Sequence, residues 1–237
     1  MSNKPRITAI ATVLNKEAWV GETILTLKQQ SLKDWEAIYV NDGSTDSTGT
    51  VLDYLASEDS RIKVVHFTEN KGCSVALNFA TSLATSDIIA VCSGDDVYHE
   101  NRLERAVKFF KKHKDVEVYY ESYIIGHPDL TQQGKHIVVP FDLEDYLRIL
   151  PNGRANQTVC HWFCAYRKTV GDKVKYDETR KVGIDYPFFA DVAKAGFKFA
   201  HNPNESEIGG IYRILPKSVT QTQGAEINAE DREYVEA

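Results

Sequence analysis

Apolar residues arrive in short blocks separated by polar turns, and the blocks alternate between two periods. Residues 7–14 form a nearly unbroken apolar run of strand length, the pattern of a strand covered on both faces. Val20, Ile24 and Leu27 then recur at helical spacing. Ala37-Ile38-Tyr39-Val40 is a second strand, and the polar turn after it offers Ser, Thr and Asp to cap a helix carrying Val51, Leu52 and Leu55. Residues 62–67 make a third strand, followed by a helix with Val75, Phe79 and Leu83 facing inward and by a strand over 87–92. Strand and helix alternating four times within the first hundred residues predict a parallel sheet joined by crossover helices.

Regularity fades after that. The pattern predicts a helix over 100–113, a strand over 116–125, a loop over 126–134, a short helix over 142–150, a loop over 151–156 and a helix over 184–195. The acidic segment after Gly224 reads as a frayed tail or a short surface helix. Without a repeat or a long linker, two intimately fused halves are expected, residues 1–98 and 99–221, with 222–237 as a tail.

The length of 237 residues suffices for a substantial core, and 42% hydrophobic with 26% charged residues excludes low-complexity and wholly disordered classes. A net charge of -6 disfavours general nucleic-acid binding. No apolar run approaches the roughly 18 residues that span a bilayer, so a cytoplasmic chain is expected. The four cysteines lack framework spacing, which fits a reducing compartment. In Cys160-His161-Trp162-Phe163-Cys164, packing is preferred over zinc, because the ligand spacing is poor and a fourth ligand is missing. Lys108, Lys111, Lys112 and Lys114 read as a solvated helix face, with peripheral attachment to anionic lipid as the alternative.

Candidate chemistry sits where parallel sheets bind ligands, outside the carboxyl ends of the strands. Asp42 ends one strand, and Gly94-Asp95-Asp96 follows another. Adjacent carboxylates repel, and a hard divalent cation compensates them while bridging a diphosphate; the plainer alternative is a solvated, capping turn. Neither Gly-x-Gly-x-x-Gly after the first strand nor a P-loop signature is present. Asp185 opens a helix, where it reads equally as a cap or as a base whose ionised form the helix dipole favours.

The ordered series Thr12-Val13-Leu14-Asn15-Lys16-Glu17, Gln30-Ser31, Val40-Asn41-Asp42-Gly43-Ser44-Thr45-Asp46, Asn70-Lys71-Gly72 to Asn78 and Gly94-Asp95-Asp96 resembles family 2 glycosyltransferases of the GT-A fold. Tyr166-Arg167-Lys168, Asp185-Tyr186-Pro187-Phe188 and Ile211-Tyr212-Arg213 with Ser218 resemble that family's acceptor side, so the likeness runs over about 5–221. It implies an α/β fold with a Rossmann-like, mostly parallel sheet, and an inverting transferase that moves sugar from a nucleotide diphosphate, UDP first, to a hydroxyl acceptor. In its terms Asp42 reads uracil, Asp95 meets the ribose or diphosphate, Asp96 holds Mn²⁺ or Mg²⁺, and Asp185 is the base. Thr12, Asn15 and Lys71 join the nucleotide site, and Arg213 contacts diphosphate or acceptor. A saccharide or lipid-linked saccharide of a surface glycan is the implied acceptor, and a homodimer is compatible with the resemblance. The chain departs from the family pattern at Leu14, Leu77, Ile184 and Leu215. A nucleotidyltransferase and a non-catalytic nucleotide-sugar binder are the competing readings; the first wants a basic glycine-rich loop after strand one, and the second has no use for Asp185.

Overall fold

The computed structural model describes residues 4–150, 158–216 and 224–236. Its centre is a seven-stranded sheet. Strands β1 (Ile7–Val13), β2 (Trp35–Asp42), β3 (Ile62–Phe67) and β4 (Ile88–Cys92) run parallel in the order β4-β1-β2-β3. Helices α1 (Val20–Lys28), α2 (Thr48–Ser57) and α3 (Cys73–Leu83) are the crossovers. Alternate residues of each strand feed two cores. Ile10, Ile38, Val40, Ile89 and Val91 join the α3 side, whereas Ala9, Ala11, Ala37, Tyr39 and Ala90 join the α1 side. Cover on both faces explains why β1, β2 and β4 are buried almost throughout, whereas the edge strand β3 is partly exposed.

The face of α3 differs from the expected one. Ala76, Leu77, Ala80 and Thr81 are buried, while Phe79 and Leu83 are exposed and Val75 is half-buried. The helix lies against β1 and β2, and small side chains permit that approach. Phe79 instead sets its ring edge against Phe67 at 5.5 Å.

Past β4 the chain builds a second sheet. Strand β5 (Val97–Tyr98) precedes α4 (Arg102–Lys112), whose Lys108 pairs with Glu104 on the solvated face. The stretch 116–125, expected as one strand, divides into β6 (Val118–Tyr120) of the large sheet and β7 (Ser122–Gly126) of the small one. Glu121, at the break, is buried and bound by Arg105 Nε at 2.6 Å and Tyr119 Oη at 2.8 Å. The loop expected over 126–134 gives its last three residues to β8 (Gln132–His136), and the expected helix over 142–150 shortens to α5 (Leu143–Tyr146). The loop expected over 151–156 lies outside the described residues.

After a single 3-10 turn at His161–Phe163, β9 (Cys164–Arg167) inserts antiparallel between β4 and β6. Then come α6 (Lys168–Lys173), α7 (Asp185–Lys194), β10 (Phe199–His201) beside β6, and β11 (Ile208–Arg213). The small sheet has the order β5-β11-β7-β8. The acidic segment at the end forms α8 (Gly224–Glu236), which packs on α7 with Asp231 buried. Among the described residues no helix is long and apolar enough to cross a membrane.

Candidate functional site

The site lies where β1, β2 and β4 end and the small sheet begins. Asp42, the last residue of β2, is buried, and its two oxygens accept the amides of Lys71 at 2.8 Å and Gly72 at 3.0 Å. It clamps the entry to α3, a structural role beside any ligand role. Gly43 has φ +73, and a Cβ there would stand 2.4 Å from the Asn70 amide nitrogen, so only glycine fits this turn. Asn15, with φ 51, accepts the Thr45 amide on Oδ1 at 2.8 Å and donates its own amide to Ser44 Oγ at 2.9 Å. Thr12 is half-buried on β1.

Asp95 is paired with Lys16, whose Nζ lies 2.5 Å from Oδ2. Asp96 is 1% exposed. Ser93 Oγ holds its amide at 2.9 Å, its carbonyl accepts Thr23 Oγ1 at 2.7 Å, and its Oδ1 accepts the Arg213 amide at 2.8 Å. Its Oδ2 is buried with no hydrogen-bond partner. Burial first, and the neighbouring Asp95 charge second, push this carboxyl up to about 8. A buried, unpartnered carboxylate oxygen beside a second carboxylate is the donor set a hard cation completes. The residues present therefore fit a divalent ion.

The two expected cations differ in exposure. Lys71 is exposed, its ammonium 5.2 Å over the Phe67 ring. The Arg213 side chain is fully buried: Nη2 lies 2.5 Å from Glu22 Oε2 and the guanidinium 4.7 Å over Trp19. Its Nε and Nη1 have no partner. Arg213 joins β11 to α1 through Glu22, and its amide reaches Asp96.

Asp185 is the first residue of α7, one position after Ile184 at the N-cap. The helix start was expected to favour its ionised form; burial wins instead and raises the carboxyl, against the opposing pull of the local amides and Arg180. Two thiols relate it to the donor side. Cys160 feels the charges of both Asp96 and Asp185, and Cys73, at the start of α3, feels both Asp42 and Asp185. Asp42, Asp95 and Asp96 thus gather at the ends of β2 and β4, and the charge of Asp185 reaches the same two thiols as those of Asp42 and Asp96.

Sequence reading missed Lys16, Glu22, Arg102 and Asp231. Lys16 lay inside the Asn15-Lys16-Glu17 motif, which was a usable signal. Arg102 knits β4 to β9, donating to the carbonyls of Val91 at 2.7 Å and Cys164 at 3.1 Å, with Tyr98 4.6 Å under its plane. Nothing local marks it. His161 is buried, bonded to Tyr176 Oη at 2.7 Å, and held neutral down to about 3 by burial, as packing requires. Among the described residues no group of three His, Cys, Asp or Glu could hold a metal ion by itself. Ser218 lies outside the described residues.

Compared with known proteins, residues 8–174 match the family described as glycosyl transferase family 2. An uncharacterized glycosyltransferase of Haemophilus influenzae is 31% identical over 81% of this chain and 73% of its own. The putative glycosyltransferase EpsE of Bacillus subtilis is 37% identical over 50% of this chain and 43% of its own. TuaG of the same organism, a putative teichuronic acid biosynthesis glycosyltransferase, is 31% identical over 59% and 55%. The chain thus spans about half the length of these two B. subtilis relatives. S. aureus TarS in complex with UDP-GlcNAc superposes with a TM-score of 0.72 at 16% identity, over 92% of this chain and 61% of that one. The Pyrobaculum calidifontis mannosyltransferase PcManGT with GDP-Man and Mn2+ gives 0.67 at 17%, over 98% and 70%. At such identities the likeness establishes the GT-A fold alone.

Proposed function

Because the chain belongs to glycosyl transferase family 2, we propose that it moves a sugar from a nucleotide-diphosphate donor, preferably a UDP-sugar, to a hydroxyl of a saccharide or lipid-linked saccharide with inversion at the anomeric carbon. The observation that carries this reading is the unpartnered, buried Oδ2 of Asp96 beside Asp95.

Residues 1–98 would serve the donor and 99–221 the acceptor. Asp42 keeps a second lone pair on each oxygen after accepting the two amides, enough to take the imide N–H of uracil. Asp95, steadied by Lys16, faces ribose or diphosphate, with Thr12, Asn15 and the Lys71 backbone closing the donor side. Asp96 Oδ2 would hold Mn²⁺ or Mg²⁺, which when bound supplies positive charge against the negative charge that gathers on the β-phosphate. Asp185 accepts the proton of the acceptor hydroxyl as oxygen attacks the anomeric carbon. Its raised proton affinity makes it a stronger base than an ordinary carboxylate.

The teichuronic acid relative supports a cell-surface saccharide acceptor, and the UDP-GlcNAc-bound neighbour supports a UDP-sugar. Incubation with UDP-, GDP- and ADP-sugars in Mn²⁺, following slow release of free nucleotide, tests the reading. Release from UDP-sugars, abolished by chelator, is expected. No release from any donor, or full activity in excess chelator, would contradict it.

A further inference from the structure

The loop after β1 is bolted down on both sides. Asn15 takes a left-handed conformation, with φ 51. The Lys16 amide donates to Thr48 Oγ1 at 2.7 Å, and its carbonyl accepts the amides of Trp19 and Val20, each at 2.9 Å. Glu17 Oε2 accepts the Ser47 amide at 2.8 Å, and the Glu17 amide donates to Asp46 Oδ2 at 3.2 Å. The backbone that carries Lys16 is therefore fixed to the starts of α1 and α2. From there the lysine side chain crosses from the end of β1 to the turn after β4, where Nζ meets Asp95 Oδ2 at 2.5 Å. The Lys16 and Asp95 side chains are 23% and 16% exposed, so water screens this pair less than an ordinary surface pair and still leaves it within reach of a ligand. Next in the chain is Asp96, whose buried Oδ2 has no hydrogen-bond partner.

A lysine ammonium is a compact point charge with three rotatable donors on a flexible stem. On Asp95 it balances one of two adjacent carboxylates. Beside it, Asp96 Oδ2 would hold a divalent ion, and two cations repel each other across a partly covered site. A diphosphate reverses the sign, because its oxygens attract both. The ammonium has protons enough to keep Asp95 and also take a phosphate oxygen.

We propose that Lys16 is a positioning residue of the donor site, whose ammonium contends with the divalent ion for the Asp95-Asp96 pair until a nucleotide diphosphate gives it a second anionic partner. The ion is then held firmly only together with the donor. This rests on the reading of Asp96 as the ion's ligand and of Asp95 as the carboxylate facing the donor.

Lys16→Met keeps the length of the side chain and removes its charge, whereas Lys16→Arg keeps the charge. Mn²⁺ binding to the full chain is read from the electron paramagnetic resonance of free aqueous Mn²⁺, and UDP and uridine binding by calorimetry in saturating Mn²⁺. Without nucleotide, Lys16→Met should bind Mn²⁺ about five- to tenfold more tightly than the parent, because a positive neighbour is gone. UDP should bind about tenfold more weakly, and uridine, which has no phosphate, within about twofold of the parent. Lys16→Arg should stay within about threefold of the parent for both Mn²⁺ and UDP. Damage to the fold would not move the two ligands in opposite directions. Mn²⁺ and UDP affinities that fall together, an unchanged Mn²⁺ affinity in Lys16→Met, or UDP and uridine weakened equally would overturn the proposal and leave the transferase reading in place. A parent with no affinity for Mn²⁺, with UDP or without it, would overturn the proposal too. A parent that binds Mn²⁺ but none of UDP, GDP and ADP would count against the transferase reading, and the Mn²⁺ comparison would then decide the contention by itself.

Discussion

Arg213 is a guanidinium with no exposed surface, one carboxylate partner and two unpartnered nitrogens, so its energetics hang on Glu22. Glu22→Ala would leave that charge buried without its ion-pair partner, over the Trp19 face. Breaking a fully buried pair costs about 3–5 kcal/mol. The Glu22 side chain is 49% exposed, which admits water and screens the pair, so about 2 kcal/mol is expected. For a chain of this size that lowers the thermal midpoint by about 4–8 °C. Arg213→Met should cost less, because it removes the charge along with its partner's task. The double variant should be no less stable than Glu22→Ala alone, giving a coupling of about 1.5 kcal/mol in urea unfolding. The Arg213→Met backbone still donates to Asp96, so UDP affinity in Mn²⁺ should stay within about threefold of the parent. A Glu22→Ala cost below about 0.5 kcal/mol, or strictly additive single variants, would refute the buried-charge argument.

Gly183→Ala forces an alanine to φ +57 with its Cβ 3.1 Å from Asp231 Oδ1, so a loss of about 1–2 kcal/mol is expected in urea unfolding; a neutral or stabilising alanine would contradict that geometry. Asp231 holds its proton more tightly folded than unfolded, so its contribution is fully present below the unfolded value near 3.8 and is lost as pH rises through about 7. Asp231→Asn should therefore gain on the order of 1 kcal/mol over the parent at pH 8 relative to pH 4, read from thermal midpoints at both; an equal difference at both pH values would remove the effect.

The parallel half of the fold was legible because strands covered on both faces carry continuous apolar runs, and because Asp42 and Asp95-Asp96 fall at strand ends, where such sheets bind ligands. The second half was not, for three physical reasons. Residues 116–125 look like one strand, but the chain changes sheet at Glu121, whose burial depends on Arg105 from another element. Strand β8, Gln132–His136, is mostly exposed and carries no apolar pattern at all. The inward face of α3 could not be chosen from periodicity, because packing on β1 and β2 favours Ala76 and Ala80 over the larger Phe79. At the site, residue type pointed to Asp96 and Asp185, but their raised proton affinity follows from burial in the folded chain, which nothing local marks.

Turnover of Asp185→Asn tests the central claim most directly. Asparagine keeps the shape at the start of α7 and cannot take a proton, so the fold and UDP affinity should be close to parental while sugar transfer falls by roughly 10² to 10⁴. Transfer within a few fold of the parent, by a folded variant that binds UDP normally, would contradict the account.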